Sequence, residues 1–157
     1  MATTIDLNVS HSQLAVFASL LAQPFNDWTD QHVSQGFAWR PGSVSFRSLV
    51  EAGSHSIEIE VVDHMGNINE DAVRVIEVPF EVPSDGAVEI GSIIETAPVS
   101  LPAGKFLLRC EFLKPASHVG ERVRLILAKK DFPRFKIVRA DAELLSDGEL
   151  LVVAQPA

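Results

Sequence analysis

Two short stretches of the chain combine the residue types that most often carry binding energy at protein surfaces. The first, DWTD at residues 27–30, places the carboxylates of Asp27 and Asp30 on either side of Trp28. The second, GFAWRPG at residues 36–42, sets Trp39 beside Arg40 just before a Pro-Gly turn. Tryptophan and arginine are enriched at binding hot spots because each combines a large contact area with a polar group. These five residues are therefore candidate partner-binding residues.

Patterns for catalysis or metal binding are much weaker. A barrel metal site needs histidine and carboxylate ligands that project from one face, but in HSIEIE the strand parity of His55 is opposite to that of Glu58 and Glu60. The sequence contains no G-x-S-x-G nucleophile elbow, no G-x-G-x-x-G and no P-loop pattern. We expect a protein that is not an enzyme and that binds neither metal nor cofactor.

Glu58 and Glu60 have two interpretations. The first is the solvated face of a half-buried strand, and the second is an acidic stripe that contacts a partner. We keep both residues as partner-binding candidates. The only cysteine, Cys110, alternates with apolar residues in FLLRCEF, which predicts a buried and inert thiol rather than a nucleophile.

Charge is distributed unevenly along the chain. The net charge is −8, yet residues 1–100 contain three arginines against fourteen acids, whereas residues 101–157 contain ten bases against seven acids. The first two thirds is thus an acidic body, which nucleic acid would repel and a basic protein would attract. We expect a protein partner, with no direct binding of nucleic acid. Acidity that only maintains solubility is the alternative.

Alternating apolar and polar residues dominate the chain, which is typical of half-buried strands. About ten such segments with turn signals between them predict an all-β fold, an antiparallel β-sandwich or flattened barrel with one short helix. We expect a single β domain over residues 1–157. The predicted strands lie within residues 5–9, 14–17, 44–46, 57–61, 72–82, 87–94, 105–113, 123–127, 135–138 and 150–153.

Local signals add detail to this fold. Residues 27–36 predict the short helix, capped by Asp27 or Thr29 and ended by Gly36. The polar connection 63–71 predicts a hairpin, and a change of apolar parity predicts a bulge near residues 75–76. Pro79 cannot donate a ladder hydrogen bond, so its strand should lie at a sheet edge there.

No targeting segment is evident. The N-terminal residues carry no basic region followed by an apolar signal core, and no stretch of about 18 apolar residues occurs. We expect a soluble, cytoplasmic protein with no membrane insertion, and its oligomeric state stays open.

A series of short motifs resembles a known family over residues 7–113. They are S-x-x-Q-x-x-V-F at 10–17, P-x-x-D-W-T-D at 24–30, G-F-A at 36–38, G-S-V-S-F at 42–46, V-P-F-x-V at 78–82, a strand at 86–94 and L-P-x-G at 101–104. In this order and spacing the chain resembles the competence protein J family, whose namesake inhibits the DNA-entry nuclease of transformable bacteria. Residues 115–157, with their basic excess, look like additional strands packed on the family-like part.

The resemblance implies a small acidic protein that binds a nuclease and suppresses its activity without chemistry of its own. A nuclease needs a basic groove to hold phosphates, and an acidic protein can be steered into that groove and occupy it. Some of the four candidate carboxylates would then replace phosphates, with one of the two tryptophans as the apolar anchor.

Other interpretations stay open at this point. Trp28 and Trp39 also suit a β-sandwich module that binds a small molecule or carbohydrate by stacking. A hydrolase or a metal-dependent isomerase in a barrel is a further possibility. A purely structural interpretation has the tryptophans covering the ends of the sandwich and DWTD capping the helix.

Overall fold

The alternation of apolar and polar residues is realised as two β-sheets packed face to face. The computed structural model describes residues 2–116, 120–144 and 148–157. In these ranges the chain forms eleven strands and one helix, which confirms the predicted sandwich. The elements are β1 (Ala2–Val9), β2 (Gln13–Ala18), α1 (Asp30–Gln35), β3 (Phe37–Arg40), β4 (Ser43–Arg47), β5 (Gly53–Val62), β6 (Ala72–Val82), β7 (Ala87–Ser92), β8 (Glu95–Ser100), β9 (Gly104–Ala116), β10 (Gly120–Lys129) and β11 (Lys136–Arg139).

The two sheets differ in strand number and order. One has six strands in the order β1-β5-β10-β9-β6-β11, and the other has five in the order β3-β4-β2-β7-β8. Every pairing is antiparallel except that of β5 with β10, which is parallel. The sheet of six strands is therefore mixed, a detail that the turn signals did not predict.

The core lies between the sheets and takes one face of every long strand. In β5 the buried residues Ile57 and Ile59 alternate with Glu58 and Glu60, as predicted. Cys110 is fully buried within the same apolar cluster. Burial raises the pKa of its thiol well above the ordinary value, and neighbouring Glu111 acts in the same direction. The prediction of an inert thiol agrees with this environment.

The predicted helix forms where its capping residues placed it. Thr29 is the N-cap of α1, and its side-chain oxygen accepts a hydrogen bond from the backbone N–H of His32. Gly36 ends the helix at φ +89°, a conformation that favours glycine. A Cβ at Gly36 would also lie 3.0 Å from side-chain atoms of Ile76 and Leu144, so the helix packs closely on the core.

Strand β6 shows both irregularities that were expected of it. Its pairing with β11 stops at Glu77, so Pro79 lies where this side of the strand has no neighbour. The carbonyl of Pro79 accepts instead from the indole N–H of Trp39, at 2.7 Å. The shift in register with β9 occurs between Ala72 and Arg74, slightly earlier than predicted.

The prediction of a hairpin at residues 63–71 is wrong. Strands β5 and β6 are not neighbours, because β10 and β9 lie between them. The connection instead crosses the outer face of β9, where Arg109 donates to the carbonyl of Gly66 at 2.8 Å. Ile68 packs there against a small apolar cluster of Ala72, Val75 and Leu113.

The strand predicted at residues 150–153 is also absent from the described part of the chain. Here the backbone of Leu151 bonds to the side chain of Gln35 rather than to a neighbouring strand. Conversely, β3 and β8 have no counterpart among the predicted strands. Both are short edge strands whose apolar alternation spans too few residues to stand out.

Arg74 joins the two sheets to the C-terminal part of the chain. Its side chain is fully buried and projects toward the core from β6. The guanidinium binds both carboxylate oxygens of Asp141, at 3.1 and 2.9 Å, and one oxygen of Glu143 at 3.1 Å. Its remaining donors reach the carbonyls of Arg47 and Ser48, at 2.6 and 3.2 Å. All five N–H groups are thus used.

We predict that Arg74→Met lowers the free energy of unfolding by about 3 kcal/mol, because it leaves two backbone carbonyls and two carboxylates without their shared donor. Urea unfolding followed by circular dichroism measures this change.

The matched control is Arg139→Met. Arg139 is exposed and makes one hydrogen bond, to the carbonyl of Ala72. Its replacement should cost less than about 1 kcal/mol. Equal costs for the two variants would contradict the role assigned to Arg74.

Candidate functional site

The DWTD surface, defined as residues 27–30, lies where the chain enters α1. The side chains of Asp27 and Asp30 are exposed, whereas Trp28 is half-buried. The indole ring of Trp28 packs edge to face against the ring of His32, with 6.4 Å between the ring centroids. The segment therefore presents two carboxylates around an aromatic ring that the protein itself partly covers.

The buried side chain of His32 fixes the conformation of this segment. Its side chain is 2% exposed, and its Nε2 lies 3.0 Å from the carbonyl of Val153. A carbonyl only accepts, so Nε2 carries the proton and Nδ1 accepts from the backbone N–H of Thr29 at 2.9 Å. This contact replaces the glutamate of the usual capping box. The imidazole thus links α1 to the C-terminal segment.

Asn26 and Arg40 hold the start of the same segment. The buried amide of Asn26 donates to the carbonyls of Ala38 and Ser43, at 2.8 and 3.2 Å. Arg40 donates to the side-chain oxygen of Asn26 at 2.7 Å and to the carbonyl of Gln23. Arg40, predicted as a contact residue, supports the backbone ahead of Asp27.

The C-terminal segment, residues 149–157, runs along α1 and DWTD. Gln35 is 3% exposed and bonds to both the N–H and the carbonyl of Leu151, at 2.9 and 2.8 Å. Farther along, the N–H of Asp27 donates to the carbonyl of Gln155, and the N–H of Ala157 donates to the carbonyl of Phe25. Both ends of the DWTD surface are therefore held by backbone hydrogen bonds or buried side chains.

The four acids predicted as contact residues fall into two groups, according to whether they form an ion pair. Glu58 and Glu60 both lie near the guanidinium of Arg124, at 3.3 and 3.9 Å. Arg124 also binds buried Glu111 at 2.8 Å. Asp27 and Asp30 form no ion pair with any residue that the structure describes. Their negative charge is therefore not compensated locally.

The seven predicted contact residues do not form one surface. Asp27, Trp28 and Asp30 lie together, with Arg40 beneath them. Trp39 projects to the inner side of the five-stranded sheet, where its ring packs edge to face on Phe135 with a centroid distance of 5.0 Å. Glu58 and Glu60 lie on the outer face of the other sheet. Trp28 and Trp39 thus do not share a stacking platform.

Several residues that position this site were missed in the sequence. Gln35, Asn26 and His32 are polar residues within a short polar stretch, and composition alone does not separate buried from solvated members. Arg74 carried a weak signal, because it has the same strand parity as the apolar residues Ile76 and Val78. A charged residue at an inward position indicates a buried partner.

The comparisons with known proteins bear on the same residues. The family model described as Competence protein J (ComJ) matches residues 6–129. The chain belongs to the competence protein J family. The match includes DWTD and β10, reaches beyond the predicted limit of residue 113, and ends before residues 130–157. The C-terminal segment that contacts DWTD therefore lies outside the family match.

A curated member of the competence protein J family gives a measure of divergence. The chain is 28% identical to the DNA-entry nuclease inhibitor of Bacillus subtilis (strain 168) over 106 residues, which is 67% of this chain and 77% of that protein. Its fold is similar to the crystal structure of ComJ, inhibitor of the DNA degrading activity of NucA, from Bacillus subtilis. That match has a TM-score of 0.68 at 20% identity and covers 82% of this chain and 96% of the other.

A second solved structure shares the fold at greater distance. The protein described as crocagin biosynthetic gene J matches with a TM-score of 0.56 at 14% identity, over 83% of this chain and 97% of the other. In the described ranges no helix is long and apolar enough to cross a membrane.

We predict that Gln35→Leu loosens the C-terminal segment, because leucine fills similar space but removes two hydrogen bonds to Leu151 and one to the carbonyl of Phe37. The amide of Leu151 should exchange with solvent about 10-fold faster or more, since its acceptor is gone. Hydrogen exchange monitored by NMR measures this rate.

Gln31→Leu is the matched control, because exposed Gln31 makes one hydrogen bond, to the carbonyl of Glu149. Exchange at Leu151 should be nearly unchanged in this variant. If Gln35→Leu also leaves that rate unchanged, the side chain of Gln35 does not hold the segment.

Proposed function

We propose that this protein inhibits a DNA-degrading nuclease of the DNA-entry type by binding to the nuclease. Two comparisons support the proposal: one with the Bacillus subtilis protein named as a DNA-entry nuclease inhibitor, and one with the structure of ComJ, described as the inhibitor of the DNA degrading activity of NucA. The fold is shared with ComJ, and the family model spans the DWTD surface. In this proposal the protein acts by binding and performs no chemistry of its own.

The proposed contact is made chiefly by Asp27 and Asp30. Both carboxylates are exposed and carry charge that no described cation neutralises. Steering toward a basic surface depends on such uncompensated charge. The observation that carries the proposal is this pair of free carboxylates on a segment held at both ends.

Glu58 and Glu60 contribute less in this proposal. Both carboxylates already lie in ion-pair contact with Arg124, so a basic cleft would have to compete with an existing ion pair. Trp39 is occupied by Phe135 and by the carbonyl of Pro79, and Arg40 by Asn26. Of the two tryptophans, Trp28 is the one whose partly exposed ring adjoins the free carboxylates of Asp27 and Asp30.

The mechanism follows from what a DNA-degrading enzyme requires. Such an enzyme needs cationic side chains to hold phosphates, and each of them loses hydration when a ligand binds. Carboxylates on a fixed backbone restore favourable interactions at those cations with little loss of conformational entropy. The nuclease is then blocked because DNA and the inhibitor compete for one cleft. Aspartate and tryptophan side chains need no chemical activation for this role.

We predict that the double substitution Asp27→Lys/Asp30→Lys raises the inhibition constant about 100-fold or more, because it replaces attraction by repulsion at the proposed interface. Immobilised wild-type protein captures its nuclease from the native host, and mass spectrometry identifies it. Plasmid degradation by that nuclease is then titrated with each variant.

The control is Asp6→Lys/Glu51→Lys, which makes the same change of net charge at two exposed acids on other elements. It should change inhibition by less than about 5-fold, through long-range steering alone. Inhibition that survives both double substitutions equally would remove the DWTD surface from the interface. Failure to capture or inhibit any nuclease would refute the proposed function itself.

A second pair of substitutions separates the two acidic surfaces. Glu58→Gln/Glu60→Gln should change the inhibition constant by less than about 3-fold, because these carboxylates already pair with Arg124. A larger loss, in a variant whose thermal unfolding is unchanged, would show that the outer face of the six-stranded sheet contacts the nuclease.

A further inference from the structure

A cleft opens beside β3, β6 and β9, and its charge is opposite to that of the DWTD surface. It has a volume of about 760 Å³, within the range of ligand and peptide sites. Buried Phe80 and Phe106 form its floor. Trp39 and Phe132 form its walls, and four prolines complete the apolar lining.

Basic residues surround this cleft. Lys105 and Arg134 line it, and Lys129, Lys130 and Lys136 flank the same connection between β10 and β11. All five are exposed, and none forms an ion pair with the residues that the structure describes. The nearby acids are Glu81 and Asp131, together with Glu77, which is the register partner of Lys136. A net positive patch thus stands on a chain of net charge −8.

Phe132 is the feature that folding does not explain. Its side chain is 85% exposed although it forms part of the cleft wall. Leaving a phenylalanine in water forgoes about 2 kcal/mol of burial energy. Exposed aromatic residues next to cationic ones are typical of surfaces that bind a partner.

We propose that this cleft binds an extended acidic segment of a partner protein. One bulky apolar side chain of the segment inserts between Trp39 and Phe132, onto the floor made by Phe80 and Phe106. Carboxylates on either side of that residue lie against the five basic side chains. The proposal does not rest on the proposed function, because the cleft and the DWTD surface bear opposite charges and use different residues.

Two observations favour an acidic polypeptide over other anions. The basic residues lie on separate segments, at Lys105, at residues 129–130 and at residues 134–136, rather than converging on one point, which suits several spaced carboxylates better than one small anion. Nucleic acid would place continuous phosphate charge beside Glu81 and Asp131, on a protein whose overall charge repels it. A short acidic segment meets much less of this repulsion.

The test uses the full chain and an array of fluorescently labelled peptides of about ten residues, each with one central Phe, Trp, Leu or Met flanked by Asp and Glu. A segment of this length spans about 30 Å when extended, enough to cross the cleft and its rim. We expect binding measured by fluorescence anisotropy that weakens with salt. Replacing the central apolar residue with Ser should weaken binding at least 10-fold.

Variants of the protein locate the site. Phe132→Ala and Lys105→Glu should each weaken binding of the best peptide at least 5-fold; Phe132 is exposed, so its loss leaves the core intact. Lys114→Glu is the control, because Lys114 is an exposed lysine at the other end of β9. It should leave the affinity nearly unchanged.

Three results would overturn the proposal: no peptide of the array binds, Phe132→Ala and Lys105→Glu bind the peptide as the wild type does, or single-stranded DNA of similar length binds the cleft more tightly than any peptide. Thermal unfolding of each variant confirms that it is folded before binding is compared.

Discussion

The guanidinium of Arg74 is a fully buried positive charge, and five oxygens surround it. Two of these are backbone carbonyls at the end of β4, and three belong to Asp141 and Glu143 beyond β11. A buried charge is tolerated only when it is paired and fully hydrogen-bonded. The end of β4, strand β6 and the C-terminal part of the chain must therefore keep one relative position. Helix α1, which follows DWTD and packs through Gly36 on Ile76, lies beside this junction.

The DWTD surface is a short polar segment that stays ordered because neighbouring residues hold it. DWTD contributes little apolar burial of its own, apart from part of one indole ring. Its order comes from neighbours: Asn26 and Arg40 on one side, and His32 and Gln35 on the other. Each of these side chains bonds to a backbone group, which is the usual way of holding a loop over a sheet. Rigid carboxylates lose less entropy on binding than mobile ones.

Patterns confined to a few neighbouring residues predicted this structure well. Alternation placed Glu58 and Glu60 outside and Cys110 inside, and capping residues placed α1 correctly. Pro79 marked the open edge of β6 because its missing N–H is a local property. Pairings between distant segments were not predictable in this way. The connection 63–71 looked like a hairpin, yet its partners are β9 side chains more than forty residues away. Likewise, no local pattern shows that Leu151 bonds to Gln35 or that Arg124 pairs with Glu58.

Residues 130–157 lie outside the family match, yet they contact and stabilise the part of the chain that matches. This stretch supplies both acidic partners of Arg74, the strand that pairs with residues 75–77 of β6, and the hydrogen-bond acceptors for His32 and Gln35. Arg74 thus lies in the part of the chain that matches the family model, whereas its counter-ions Asp141 and Glu143 lie in the part that does not. Removing either the guanidinium or the two carboxylates would leave the other without its partners, so the two portions of the chain stabilise each other.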